Sequence, residues 1–142
     1  MIAAPLDYGH ALASISILSL IAVVLGPLAS LRKFKDGVRT GAMPEPDYKN
    51  SAYRMNRAYL NLVENMPWFL GACFAAMFVG ASPVSVNWLA SLFLLFRLAH
   101  LVVHIGAIGK TNLGLRSYVY TGASLCTAGL ALLTLYTVFL GG

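Results

Sequence analysis

Hydrophobic residues fill four long stretches of the chain, near residues 9 to 31, 57 to 81, 84 to 108 and 117 to 140, and most polar residues lie between them. Each stretch reaches about twenty residues or more, the length a helix needs to cross a hydrocarbon core of ~30 Å. The run LASISILSLIAVVLGPLASL has almost no polar stripe, which a helix of a water-soluble bundle would need. The pattern predicts an all-α integral membrane protein, a single domain over 1–142 folded as a four-helix transmembrane bundle. The first run is too long for a cleaved signal peptide and has no basic residue before it, so it is expected to stay as a helix.

Composition agrees with that reading. The 142 residues are 58% hydrophobic and 11% charged, with a mean hydropathy of +0.73, well outside the soluble range. The net charge of +5 is concentrated in two connections. Arg32, Lys33, Lys35, Arg39, Lys49 and Arg54 lie between the first two stretches, and Lys110 and Arg116 between the last two. The connection ASPVSVN is uncharged. Basic loops stay on the cytoplasmic side, so both termini are expected outside. Topology accounts for the charge without nucleic-acid binding. The long polar connection RKFKDGVRTGAMPEPDYKNSAYRMN is rich in breakers and reads as irregular. Cys73 and Cys126 sit within apolar runs and read as buried thiols. The string GKT at Gly109–Thr111 lacks both the upstream glycine and the strand of a phosphate loop.

The candidate chemistry lies inside the helices. Arg57, Asn61 and Glu64, at i, i+4 and i+7, share one stripe of the second helix. Arg97, His100 and His104 repeat the arrangement in the third, and Tyr120 follows Arg116 by one turn in the fourth. Antiparallel bookkeeping around a turn near residue 82 sets Glu64 level with His100, one turn from Arg97. A turn near 112 sets His104 level with Tyr120. A lone Arg or Glu in hydrocarbon costs at least ~3 kcal/mol, so these side chains must face inward or an interface. A Glu64–Arg97 ion pair fixing helix register is one reading. A polar ligand is the other, because mixed-sign groups on three helices exceed what one pair needs. Fixed arginine charge suits carboxylates, while Glu64 and Asn61 suit an ammonium group, so a zwitterionic peptide with more than one carboxylate would fit. His100 and His104 have no HExxH glutamate between them, and no metal is expected. Trp68 reads as packing or lipid-facing, Tyr48 and Tyr53 as interfacial anchors, and Gly71, Gly80, Gly106, Gly122 and Gly129 as points of close helix approach.

The string RAYLNLVENMPWFL, with its Arg-x-x-x-Asn-x-x-Glu core, resembles the MAPEG family, membrane-associated proteins in eicosanoid and glutathione metabolism. SLRK, TGAMPEP, FRLAH and RSYVY follow in the family's order across essentially the whole chain. The resemblance implies a homotrimer with active sites between subunits, open to the cytoplasm, and glutathione as co-substrate. It implies that Arg57, Asn61, Glu64, Arg97, His100, His104 and Tyr120 hold glutathione, joined by Arg32 from a helix end or neighbouring subunit. It also implies that Arg116, with Ser117 beside it, stabilises the glutathione thiolate. The expected activity is a glutathione transferase or peroxidase acting on apolar electrophiles or lipid hydroperoxides. The alternative is a non-catalytic lipid-binding accessory protein, a role the family also contains. A channel or transporter lacks support, because the helices have no matching Gly/Pro breaks. Two positions depart from the family pattern. His104 stands where several catalytic members carry tyrosine, and Leu60 where the prostaglandin-synthesising members carry arginine, which argues against that activity.

Overall fold

The computed structural model describes residues 5–39, 41–109 and 114–141. A short 3₁₀ turn, Pro5–Tyr8, leads into α1 (Gly9–Lys35), followed by α2 (Ser51–Phe78), α3 (Pro83–Ile105) and α4 (Leu115–Leu140). No strand occurs among the described residues. With 27, 28, 23 and 26 residues, the helices are about 35–42 Å long at ~1.5 Å per residue. Three helical segments, Leu6–Lys35, Pro83–Ile105 and Leu115–Leu140, are both long and apolar enough to cross a membrane. The second helix is long enough, but Arg54, Arg57 and Glu64 make its first half too polar to qualify on composition.

Helix boundaries follow local chemistry. The second helix starts at Ser51 rather than 57, because the Asn50 side chain accepts from the backbone N–H of Ala52 and Tyr53 at 2.7 and 3.4 Å. That satisfies two of the four donors a helix start leaves unpaired. The third helix ends at Ile105 rather than 108. Ile108 N–H donates to the Val103 carbonyl at 3.0 Å and Ala107 N–H to that of His104 at 3.4 Å. This is a Schellman closure, and it places Ala107 at φ 55°, a left-handed position usually taken by glycine.

α1 and α4 each pack on α2 and α3, which also pack on each other, so α2 and α3 form the short diagonal of the bundle. Phe69 and Phe93 stack across that diagonal with centroids 3.9 Å apart. Leu18, Leu62, Cys73, Val86, Ala90, Cys126 and Leu130 surround them, and both cysteines are free thiols. At α4 a Cβ on Gly122 would lie 2.6 Å from the Phe96 ring, and one on Gly129 would lie 3.2 Å from Leu89, so these two glycines set the α3–α4 approach. The other three glycines expected to do so act differently: Gly71 faces open space, Gly80 turns the chain at φ 71°, and Gly106 caps α3. At the α2–α3 turn, the Tyr8 hydroxyl donates to the Ala81 carbonyl (2.7 Å). Asn87 there donates to the Asp7 carbonyl and accepts from Ala11 N–H. Leu20, Val23, Val24, Phe74, Phe78, Leu125, Leu132 and Phe139 point outward, an apolar exterior suited to lipid rather than water.

Candidate functional site

Arg97 is the largest fully buried side chain among the described residues, 1% exposed. Its Nη1 donates to Asn61 Oδ1 at 2.8 Å, joining α3 to α2. Its guanidinium carbon lies 5.2 Å from the centre of the Phe93 ring and 5.4 Å from that of Tyr120, which brings in α4. Nε and Nη2 are buried with no hydrogen-bond partner among the described residues. Toward the end of α3, His100 lies 6.3 Å from Tyr120 and 5.3 Å from His104, ring to ring, and both histidines are buried. Neither ring nitrogen of His104 has a hydrogen-bond partner among the described residues. Arg54, Arg57 and Arg116 all lie within electrostatic range of His104. Cationic groups from three helices therefore converge on one end of the bundle.

This cluster differs from the expected arrangement in two ways. No Glu64–Arg97 ion pair forms, and Asn61 takes the arginine instead. At ~100° per residue Glu64 is turned about 60° from Asn61, toward α4. There Glu64, exposed, lines a groove of about 420 Å³ with Asn65, Trp68, Tyr120, Ser124 and Thr127. Trp68 thus borders a polar groove rather than only lipid or packing. Second, it is His100 and not His104 that meets Tyr120. Because α3 ends at Ile105 and α4 starts at Leu115, the turn is centred nearer residue 110 than 112. Lys110 and Thr111 lie outside the described residues.

His104 meets Tyr48 instead, at 5.7 Å between ring centres. The Arg116 guanidinium lies over the Tyr48 ring at 4.5 Å. Tyr48, Arg54 and Arg116 line a second cleft of about 330 Å³ with Asp47, Lys49, Ala107 and Gly109. The sequence reading missed Tyr48 and Arg54 as site residues. Arg54 Nη1 donates to the carbonyls of Tyr48 (2.7 Å) and Lys49 (2.8 Å), while its Nε donates to that of Ile105 (3.0 Å). No spacing rule links a loop tyrosine to residues more than fifty positions away, so only the fold reveals the contact.

The remaining site residues are more peripheral. Ser117 is half-buried in the first turn of α4, its N–H bonded to the Gly114 carbonyl at 2.9 Å. Arg57 is half-buried on the α2 face near His104. Arg32 is exposed and donates to Ser51 Oγ through Nε and Nη2, at the start of α2 and apart from the cluster. Among the described residues no three His, Cys, Asp or Glu side chains gather into a metal-binding set.

The profile of the MAPEG family matches residues 10–136, nearly the whole chain. The protein belongs to the MAPEG family. No curated protein matches the sequence. As a MAPEG protein with three spanning segments, it is an integral membrane protein. The match reaches into all four helices and takes in every residue of the cluster.

Proposed function

We propose that this MAPEG protein is a membrane-bound glutathione transferase whose thiolate can also reduce lipid hydroperoxides. The observation that carries the reading is Arg97, a buried guanidinium with two unpartnered donors. An unmet buried donor costs ~1–3 kcal/mol, more when charged, and a carboxylate is the group that satisfies a planar arginine fork. Glutathione has two carboxylates and one ammonium group. Arg97, Arg57, Asn61, His100, His104 and Tyr120 can hold the first, and Glu64 in the adjoining groove the second.

Arg116 is the proposed catalytic residue. A free thiol has a pKa near ~8.5, and cations and helix N-termini lower it. Arg116 supplies both. It is the second residue of α4, whose first turn has no acidic side chain and whose start has no side-chain cap. The positive end of a helix favours an anion by ~0.3–1 kcal/mol. A thiolate held there, with Ser117 donating to the sulfur, is such an anion. The thiol proton leaves to water, and the sulfur attacks an electrophilic carbon, forming the S–C bond as the leaving group departs with its electron pair. With a hydroperoxide, the O–O bond breaks as two glutathiones are oxidised to the disulfide, giving an alcohol and water.

The same reading places α2 as the fourth spanning helix and the basic connections on the cytoplasmic side. The groove at Glu64, Tyr120, Ser124 and Thr127 opens on a lateral face, where lipid offers no hydrogen bonds. A homotrimer in which a neighbour covers this groove, bringing its own Arg32, accounts for that surface. The electrophile would arrive through the bilayer.

The test is conjugation of glutathione to an apolar electrophile by the detergent-purified protein and by Arg116→Ala, with binding measured on both. Turnover should fall at least ~100-fold, as for loss of one anion-stabilising donor, while binding persists. An intact protein that binds no glutathione and turns nothing over defeats the enzyme reading in favour of the accessory role.

A further inference from the structure

The cation that would meet the thiolate is itself held by a residue of the loop. Tyr48 reads in the sequence as an interfacial anchor, yet one face of its ring is covered by the Arg116 guanidinium at 4.5 Å. The ring is also 5.7 Å from that of His104 and makes an edge contact with Tyr53 at 5.1 Å. It therefore links the end of α3 to the first turn of α4. The loop beneath it is fixed by three hydrogen bonds from Arg54, to the carbonyls of Tyr48, Lys49 and Ile105. Asp47 adds a local turn, accepting the Lys49 N–H at 2.8 Å. The Tyr48 backbone is tied to α3 through Arg54, and its ring offers Arg116 a flat face.

We infer that Tyr48 is a positioning residue that orients Arg116 for the thiolate, with Arg54 fastening it in place; the inference rests on the glutathione reading above. An arginine at the start of a helix is a long side chain with many rotamers. A ring at cation–π distance selects those that lie flat against the loop. A guanidinium can stack through its face and still donate from its edge, so stacking on Tyr48 is compatible with donation to the sulfur. The Tyr48 hydroxyl makes no hydrogen bond among the described residues, so the ring alone performs the role. Among the described residues, the other charged or titratable groups around Arg116 include Asp47 and Lys49 in the loop, Arg54 on α2, and His100 and His104 on α3.

The test compares full-length protein in detergent with Tyr48→Phe and Tyr48→Leu. Ultraviolet absorbance of the bound glutathione thiolate is followed against pH, alongside kcat and KM. Losing a cation–π contact should raise the thiolate midpoint in Tyr48→Leu by about one pH unit. Its kcat at neutral pH should fall by up to about tenfold, as a contact worth one pH unit implies, with KM for glutathione little changed. Tyr48→Phe should behave as wild type. Arg54→Gln, which releases the loop but keeps the ring, should shift the midpoint in the same direction, and it serves if Tyr48→Leu fails to fold. An unmoved midpoint in these variants, or equal shifts in the Phe and Leu variants, overturns the inference. A wild-type protein with no thiolate signal removes the glutathione reading and this inference with it, whereas a normal wild-type signal with unmoved variants removes only the latter.

Discussion

Replacing Arg97 by methionine separates a ligand-binding role from a structural one. Met has similar reach and no charge to desolvate. Among the described residues of the free protein Arg97 has one hydrogen bond, to Asn61 at 2.8 Å, and two unpartnered buried donors. The unmet donors cost ~2–6 kcal/mol together, against ~1.5–3 kcal/mol from the charged bond. The Phe93 and Tyr120 rings return roughly 0.5–2 kcal/mol each. The sum is near zero. Methionine removes the desolvation cost but leaves Asn61 Oδ1 unpaired, at ~1–3 kcal/mol. Stability of the ligand-free protein is thus expected to stay within about 2 kcal/mol of wild type, or to rise, as when buried charges give way to apolar side chains. Glutathione affinity is expected to fall by ~2–5 kcal/mol, the cost of truncating one side of a buried charge pair, or roughly 30- to 4,000-fold in Kd. Detergent unfolding and titration calorimetry on the same samples measure the two quantities. A loss of stability beyond ~3 kcal/mol, the cost of breaking a structural pair, with unchanged glutathione affinity would refute the argument and make Arg97 a register pin.

Two further expectations concern the frame of the site. Gly122→Val forces a side chain to within 2.6 Å of the Phe96 ring and should cost ~1–3 kcal/mol by overpacking. A second change, Phe96→Ala, should return part of that cost; a neutral single variant would show that the α3–α4 seam is looser than described. Ala107→Gly removes a left-handed alanine at φ 55° and should stabilise the protein by about 1 kcal/mol. An unchanged unfolding midpoint would count against strain at that position.

The apolar runs made the helices legible, since lipid leaves few alternatives to a helix for a long apolar segment. Their ends were less so. Asn50 capping α2 and the Schellman turn after Ile105 are local signals weaker than hydropathy, and together they moved two boundaries and the depth bookkeeping built on them. Asn61 and Arg97 were found by spacing because both point into the α2–α3 diagonal. Glu64 shares their stripe in projection, but its 60° rotation from Asn61 decides its partner, and only the packing of α4 shows where that leads. Tyr48 was missed for a different reason. A loop residue carries no periodicity, so its approach to His104 and Arg116 depends on three hydrogen bonds from Arg54 that no pattern encodes.

The third helix offers the most direct argument for the proposed reading of the polar cluster as more than packing. Val86, Ala90, Phe93, Arg97, His100 and His104 are all buried and alternate at four- and three-residue steps, so they form one seam along a single face. The first half of the seam is apolar and closes with the Phe69–Phe93 stack. Beside it, Tyr8 of the N-terminal turn donates to the Ala81 carbonyl, and Asn87 donates to the Asp7 carbonyl and accepts from Ala11 N–H. The second half occupies equivalent positions with three basic side chains, among which Arg97 and His104 have buried nitrogens without partners. Leucine at 97, 100 and 104 would continue the seam at no desolvation cost. A local rule broken on one half of a helix and kept on the other is the mark of a site stabilised by the rest of the fold. Phe93 stands at the junction, stacked on Phe69 on one side and 5.2 Å from the Arg97 guanidinium on the other, so the apolar half holds in place a basic half that, on the proposed reading, an anion would complete.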